Sequence, residues 1–166
     1  LMGFSASPSE PGVIYTSGHP GPGTSLPNPV GLLVSRDGGR TWDSVSLAGE
    51  VDFHALAISP ADGKLLYGWF GGELYRSEDG GRTWNRQPAP ELAGSAGHGP
   101  LQLAAHPSDR DVLLAATEGG LLRSTDAGRS WDVLLPGLVT AVSYAPGTPE
   151  RIYAYSLDTG LVMSPD

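Results

Sequence analysis

Three of the four histidines in this sequence could act together as metal ligands. His19, His54 and His98 each lie in a segment that connects two apolar runs, and His106 stands directly before a proline. Neutral imidazole is the commonest metal ligand among side chains, and Zn or Cu would suit such a set. No HxH, HxxxH or HExxH spacing occurs, so only the fold could bring these residues to one point. Alternatively, they are ordinary loop histidines, with His54 packed at the start of a strand.

Carboxylates in the same segments could support the chemistry of a glycoside hydrolase. Such an enzyme needs two carboxyl groups on either side of the scissile bond. Glu50, Asp52 and Glu91 are the catalytic candidates, with Glu118 as a further one, and Trp69 or Phe70 could stack on a sugar ring. Their spacing singles out no catalytic pair, so whether the chain is an enzyme stays open. The alternative is a site that only binds a ligand, formed by His19, His54, His98, Trp69 and Asp52.

The charge and the cysteine content exclude several classes of function. The 166 residues carry 10 lysines and arginines against 18 aspartates and glutamates, which gives a net charge of −8. So acidic a chain lacks the positive surface of a nucleic-acid-binding protein. No apolar run is long enough to span a membrane, and the absence of cysteine excludes disulfides and thiolate metal sites.

Glycine and proline indicate which elements position these residues. The chain contains 24 glycines and 15 prolines, and 39% of its residues are hydrophobic. So many chain-breaking residues leave little room for long helices, while the apolar fraction is high enough for a buried core. We therefore expect an all-β protein made of many short strands and turns.

A repeated motif divides the chain into units. Residues 35–42 read SRDGGRTW, residues 77–84 read SEDGGRTW and residues 124–131 read STDAGRSW, and a fourth copy begins at Ser164. Three short apolar strands precede each copy, and the tryptophan opens a fourth strand. Each unit is thus a four-stranded antiparallel sheet of about 40–47 residues, the length of a propeller blade. The units span residues 1–50, 51–98, 99–137 and 138–166, the last with three strands.

The motif itself predicts a structural role rather than a catalytic one. Its aspartate should accept hydrogen bonds from backbone N–H groups of the turn between the third and fourth strands. The glycine at its fifth position should adopt a positive φ, and its tryptophan should pack against the sheet. The residues to which this prediction applies are Ser35, Asp37, Gly39, Trp42, Ser77, Asp79, Gly81, Trp84, Ser124, Asp126, Gly128 and Trp131.

The pattern S-x-D-x-G-x-T-W is identified as the Asp-box, or BNR repeat. It occurs in sialidases, sortilin-type receptors, xyloglucan-degrading glycosidases and the photosystem II stability factor. Segments 17–23, 28–32 and 52–56 resemble a group of exported bacterial BNR-repeat proteins described as glycosyl hydrolase-like. The resemblance covers essentially the whole chain and implies a β-propeller, of which this sequence would hold about four blades. The remaining blades would lie outside this sequence, or a second chain would complete the ring.

The propeller architecture implies which end of the molecule carries a site. In such folds the first strand of each blade lines a central channel. The loops between second and third strands open on the same face as the connections between blades. His19, His54 and His98 would belong to that face, whereas His106 and the Asp-boxes would belong to the opposite one. A sialidase would need three arginines on the site face, but most arginines here lie in or beside the boxes. We therefore do not expect a sialidase.

These observations favour an exported Asp-box propeller that binds a carbohydrate or protein ligand, with a metal site formed by His19, His54 and His98. A carbohydrate-active glycoside hydrolase is the first alternative. An assembly or scaffold factor of a larger complex is the second. The resemblance also implies an extracellular or periplasmic location, with the signal peptide outside this sequence.

Overall fold

Fifteen short strands make up the fold in the part of the chain that the structure describes. The computed structural model describes residues 3–95 and 97–164. The first two sheets contain β1 (Phe4–Ala6), β2 (Ile14–Thr16), β3 (Leu32–Ser35), β4 (Asp43–Ser46), β5 (Ala55–Ile58), β6 (Leu66–Phe70), β7 (Glu73–Ser77) and β8 (Asn85–Pro88). The other two contain β9 (Gln102–Ala105), β10 (Leu113–Ala116), β11 (Gly120–Ser124), β12 (Asp132–Pro136), β13 (Val139–Ala145), β14 (Thr148–Ser156) and β15 (Gly160–Met163). A 3-10 helix, Pro90–Leu92, is the one helical element of these residues. The described residues therefore contain no helix long and apolar enough to cross a membrane.

Each sheet follows the chain as an antiparallel meander. The strand orders are β1-β2-β3-β4, β5-β6-β7-β8 and β9-β10-β11-β12, and the last sheet contains β13-β14-β15. The structure therefore confirms the all-β propeller of four-stranded blades, with three strands in the fourth blade. One boundary prediction was wrong: β4, β8 and β12 begin one residue after the tryptophan of the motif. The turn held by the aspartate extends up to the residue before that tryptophan, so pairing starts later.

The hydrophobic core lies between the faces of neighbouring blades. One buried cluster joins the first and second sheets around Phe53 and Leu66. Another joins the second and third sheets around Tyr67 and Leu113, and a third joins the last two around Val139. Because a blade between two others packs on both faces, its inner strands can be apolar on both sides, and β5 and β10 are buried throughout.

The first strand of each sheet lines a shared central cavity. β1 contacts β5, β5 contacts β9, and β9 contacts β13. Side chains of these four strands, including Phe4, Leu56, Leu103 and Val142, surround a cavity of about 320 Å³. The prediction that the first strand of each blade faces a central channel is therefore confirmed.

The three Asp-boxes form the same hydrogen-bond network at the turn between third and fourth strands. In the second box, the Asp79 carboxylate accepts the backbone N–H groups of Arg82 at 3.0 Å and Thr83 at 2.9 Å. It also accepts the hydroxyls of Ser77 at 2.8 Å and Thr83 at 2.7 Å. The corresponding atoms make the same contacts in the first and third boxes. The boxes therefore hold their turns by the network that the motif predicts.

Two of the boxes also contact the preceding blade. Gly81 has a φ of 83° and adjoins Leu32, and Gly128 has a φ of 86° and adjoins Leu74. The Ser46 hydroxyl donates a hydrogen bond to the Gly81 carbonyl at 2.5 Å, and the indole N–H of the same box donates to Ser46 Oγ at 3.0 Å. The boxes thus fasten one blade to the next as well as closing a turn.

Hydrogen bonding lowers the pKa of each box aspartate to about 2. The backbone N–H of Thr83 contributes most to the low pKa of Asp79, and the Thr83 hydroxyl comes second. The hydroxyl of Ser130 contributes most to the low pKa of Asp126. A carboxylate with a lowered pKa stabilises the fold above its unfolded pKa of about 3.9, and the contribution is lost as the pH falls toward the folded value.

The free energy of unfolding should therefore decrease as the pH falls from about 4 to about 2. Replacing Asp79 by Asn removes one ionisable carboxyl and should make this decrease smaller. Denaturant unfolding of the wild type and of Asp79→Asn at several pH values measures both profiles. The interpretation would be contradicted if the two profiles had the same slope below about pH 4.

Candidate functional site

Three segments lie at the end of the molecule opposite the Asp-boxes. They are one loop within the first blade and the connections between the first three blades. His19 lies in the loop between β2 and β3, His54 at the end of the connection from β4 to β5, and His98 in the connection from β8 to β9. Because consecutive strands are antiparallel, these segments lie at the opposite end from the β3–β4 and β7–β8 turns, which carry boxes. We call this end the histidine face.

His106 lies at the other end, just after β9. Its Nδ1 accepts the backbone N–H groups of Asp109 at 3.0 Å and Ser108 at 3.2 Å. Its ring packs edge-on against Tyr144, with 4.8 Å between the ring centroids. His106 therefore caps a turn on the box side and provides a histidine control for changes at the histidine face.

The Asp52 carboxylate lies between two of the other histidines. Its Oδ2 is 2.7 Å from His54 Nε2 and 2.8 Å from His19 Nε2. The two imidazole rings are inclined at 76°, with 6.5 Å between their centroids. One potential ligand atom from each of the three side chains lies within 4.8 Å of the others. We call these three residues the His–Asp cluster.

Hydrogen bonds fasten the His19 loop to the connection that carries the other two residues. The Phe53 N–H donates to Ser17 Oγ at 3.0 Å, which joins the start of the loop to the strand entrance. His19 Nδ1 lies 2.6 Å from Asn28 Oδ1, near the end of the same loop. The ring of His19 is thus oriented from both sides, by Asn28 at Nδ1 and by Asp52 at Nε2.

Asp52 is buried, whereas the two imidazoles are about half exposed. The exposed fraction of the side chain is 8% for Asp52, 56% for His19 and 49% for His54. The second oxygen of Asp52, Oδ1, has no hydrogen-bond partner in the described part of the chain. A buried carboxylate with one oxygen lacking a donor is unfavourable, so a positive charge beside Oδ2 would stabilise it.

A pocket of about 300 Å³ opens beside the His–Asp cluster. Its lining includes Asp52, His54, Trp69, Phe70 and His98. Trp69 is only 7% exposed, and its indole Nε1 has no hydrogen-bond partner among the described residues. Phe70, at the end of β6, is partly exposed. Trp69 therefore forms part of the pocket wall, and Phe70 offers the more accessible ring.

The connection between β8 and β9 passes closely over Trp69. Gly99 has a φ of 78°, and a Cβ there would lie 2.7 Å from Trp69 Cδ2 and overlap other atoms of the ring. Earlier in the connection, the N–H and the hydroxyl of Ser95 both donate to Glu118 Oε2 at 3.0 Å. These two contacts set the position of His98 between them.

His98 lies outside the His–Asp cluster. Its side chain is 73% exposed, and its Nδ1 is 3.9 Å from Glu118 Oε1. It lines the same pocket as His54, so it faces the same space. The fold thus joins His19 and His54 through Asp52, rather than through the third histidine that the sequence indicated as a metal ligand.

The remaining catalytic candidates do not contribute to the pocket. Glu50 and Glu91 are exposed, and Asp52 is the one carboxylate among the described residues that line it. Asn28 and Ser95 also position the site, and the sequence did not indicate this role for either residue. Each occurs in a loop of one blade only, so no repeated pattern marks it.

The fold and the boxes define the chain as an Asp-box propeller. A family model for Sortilin-Vps10, described as sortilin, neurotensin receptor 3, matches residues 30–160. The chain therefore belongs to the Sortilin-Vps10 family. A search of curated proteins found no significant match.

Several solved propellers are similar to the whole chain. A GH74 xyloglucanase from Xanthomonas campestris is 25% identical over 100% of this chain, with a TM-score of 0.71. YCF48 from Cyanidioschyzon merolae is 19% identical over 99% of the chain, with a TM-score of 0.62. A structure of YCF48 bound to D1 peptide is 19% identical over 94%, with a TM-score of 0.61. The chain spans 29%, 52% and 47% of these proteins, respectively.

Proposed function

We propose that this chain is part of an exported propeller that binds a carbohydrate in the pocket beside the His–Asp cluster. The observation that carries the proposal is the lining of that pocket, where a buried carboxylate and two imidazoles occur with aromatic rings. Sugars suit this combination, because their hydroxyls hydrogen-bond to polar groups while their C–H faces pack on aromatic rings.

We propose separate roles for the residues that line the pocket. Asp52 would orient the ring of His54, whose Nε2 lies 2.7 Å from Asp52 Oδ2. His54 and His98 would hydrogen-bond to neighbouring hydroxyls, and the partly exposed ring of Phe70 would pack against the sugar face. A volume of about 300 Å³ lies at the lower end of small-ligand pockets, which suits a single sugar unit of a longer chain.

Two similarities support the ligand class and the location. The xyloglucanase is 25% identical to this chain over the full length of the chain, which favours a carbohydrate over other polar ligands. The resemblance of segments 17–23, 28–32 and 52–56 to exported BNR-repeat proteins favours an extracellular or periplasmic location.

Binding without hydrolysis is the activity that the pocket favours. Glycoside hydrolysis requires an acid and a second carboxylate across the scissile bond. Among the described residues that line the pocket, Asp52 is the one carboxylate, and both imidazoles of the cluster already contact its Oδ2. Among the described residues, this pocket would therefore hold a sugar with one carboxylate and not with the pair that hydrolysis requires.

Calorimetric titration with a xyloglucan oligosaccharide tests this proposal. We expect saturable binding to the wild type, with affinity about tenfold lower in His98→Ala, because one hydrogen bond to the ligand is lost. His106→Ala, on the box side, should bind as the wild type does. Reducing-end release should stay at the level of the blank.

Four results would contradict the proposal. The first is an absence of saturable oligosaccharide binding by the folded wild type, and the second is a loss of affinity in His106→Ala equal to that in His98→Ala. Release of reducing ends by the wild type would instead identify a hydrolase. Saturable binding of peptides alone, with no saccharide binding, would replace the carbohydrate by a protein ligand.

A further inference from the structure

We propose that His19, Asp52 and His54 bind one zinc ion at the histidine face. Two imidazole nitrogens and one carboxylate oxygen form one of the donor sets of three-ligand zinc sites, in which the fourth position holds water or a ligand. The three side chains supply these atoms within 4.8 Å of one another. This site borders the proposed carbohydrate pocket but does not depend on carbohydrate binding.

The contacts of His19 require a cation. Its Nδ1 lies 2.6 Å from Asn28 Oδ1, which only accepts hydrogen bonds, so this nitrogen carries a proton. A neutral ring then presents the lone pair of Nε2 to Asp52 Oδ2, 2.8 Å away. Two lone pairs repel each other, and a positive charge between them makes the contact attractive. A second proton or a metal ion would supply that charge.

The surroundings of the cluster are those of a metal site. Metal-binding histidines commonly donate their other ring N–H to a carbonyl or carboxylate oxygen, as His19 does to Asn28. Asp52 is 8% exposed, and its Oδ1 has no partner in the described residues. A zinc ion would compensate the buried negative charge, which the two half-exposed imidazoles do not do when neutral.

Modest side-chain rotations would bring the three atoms into zinc coordination. Zinc bonds of about 2.0–2.1 Å place tetrahedral ligand atoms about 3.3 Å apart. The separations here range from 2.7 Å to no more than 4.8 Å, so each must change by about 1.5 Å or less. The rings of His19 and His54 are about half exposed and have room for that movement.

Calorimetric titration of chelator-treated protein with zinc chloride tests the site. We expect one zinc ion per chain, and at least about tenfold weaker binding in His19→Ala and in His54→Ala. Asn28→Ala should weaken zinc binding about tenfold through the orientation of His19, and Asn28→Asp, which keeps an accepting oxygen, should restore it. His106→Ala should bind zinc as the wild type does.

The His98→Ala variant decides between the two sets of ligands. Zinc binding should be unchanged in this variant, because His98 lies against Glu118 rather than in the cluster. A loss equal to that of His54→Ala would overturn the proposed ligand set, and so would an equal loss in His106→Ala. Absence of saturable zinc binding by the folded wild type would overturn the site itself. The zinc titration contains no saccharide, and the saccharide titration can be repeated with a chelator present. The two proposals can therefore fail independently of each other.

Discussion

Alanine at Gly81 or Gly128 should lower the free energy of unfolding by about 2–5 kcal/mol, and alanine at Gly39 by only about 1–2 kcal/mol. The three glycines occupy the same position in their boxes, with φ values of 83°, 86° and 89°. The strain of placing an L-residue at a positive φ is therefore common to all three substitutions. Any further loss must come from a contact that Gly39 does not make.

That contact is with the preceding blade. A Cβ at Gly81 would overlap Leu32 Cδ2, and one at Gly128 would overlap Leu74 Cδ2. Both leucines are fully buried and have little space into which to move. At Gly39 the nearest atom would be Trp42 Cζ2, at 3.7 Å, within the same box. In the second and third boxes, this overpacking should add about 1–3 kcal/mol to the loss that the strained φ causes.

Urea unfolding of the three single variants measures this difference. Far-ultraviolet circular dichroism would follow the sheets, and the slope of the transition would show whether unfolding stays cooperative. Equal decreases in the free energy of unfolding for the three variants would contradict the packing of the second and third boxes against the preceding blade.

Alanine at Gly99 should destabilise the chain by about 2–5 kcal/mol and weaken carbohydrate binding at least about tenfold. Its φ of 78° adds strain, and its Cβ would overlap the ring of Trp69. Unlike a leucine methyl, a buried indole cannot rotate out of the way without moving the pocket wall. The connection that carries His98 should therefore shift away from the site.

Alanine at Gly97 is the matched control. This glycine lies in the same connection with a φ of 73°, and a Cβ there would meet no atom within 4 Å. The substitution should lower the free energy of unfolding by about 1–2 kcal/mol, the strain of the positive φ alone. Denaturant unfolding and saccharide titration of both variants test the prediction. It fails if Gly97→Ala and Gly99→Ala have the same effects.

The fold could be predicted because its determinants are local and repeated. Each aspartate of the boxes bonds to groups no more than four residues away, so one short pattern specifies one turn. Three copies of the pattern then fix the period of the strands. The contact of Gly81 with Leu32 was not predictable in the same way, since it depends on how two blades pack.

The site could be predicted only in part because its contacts join distant segments. The sequence indicated His19, His54 and Asp52, but the pairing of His19 with Asp52 follows from the path of the β2–β3 loop. His98 occurs in a comparable segment, yet the contacts of Ser95 and Gly99 hold it near Glu118. No periodic sequence pattern predicts the path of the β2–β3 loop or of the connection from β8 to β9.

The indole N–H resonances of the four tryptophans would test the central claim, that the histidine face binds the ligand and the boxes hold the fold. Trp69 lines the pocket, whereas Trp42, Trp84 and Trp131 belong to boxes at the other end. Titration of a ¹⁵N-labelled sample with a xyloglucan oligosaccharide should shift the Trp69 resonance and leave the other three in place. Shifts at the box tryptophans, or an unchanged Trp69 resonance at saturating oligosaccharide, would contradict the claim.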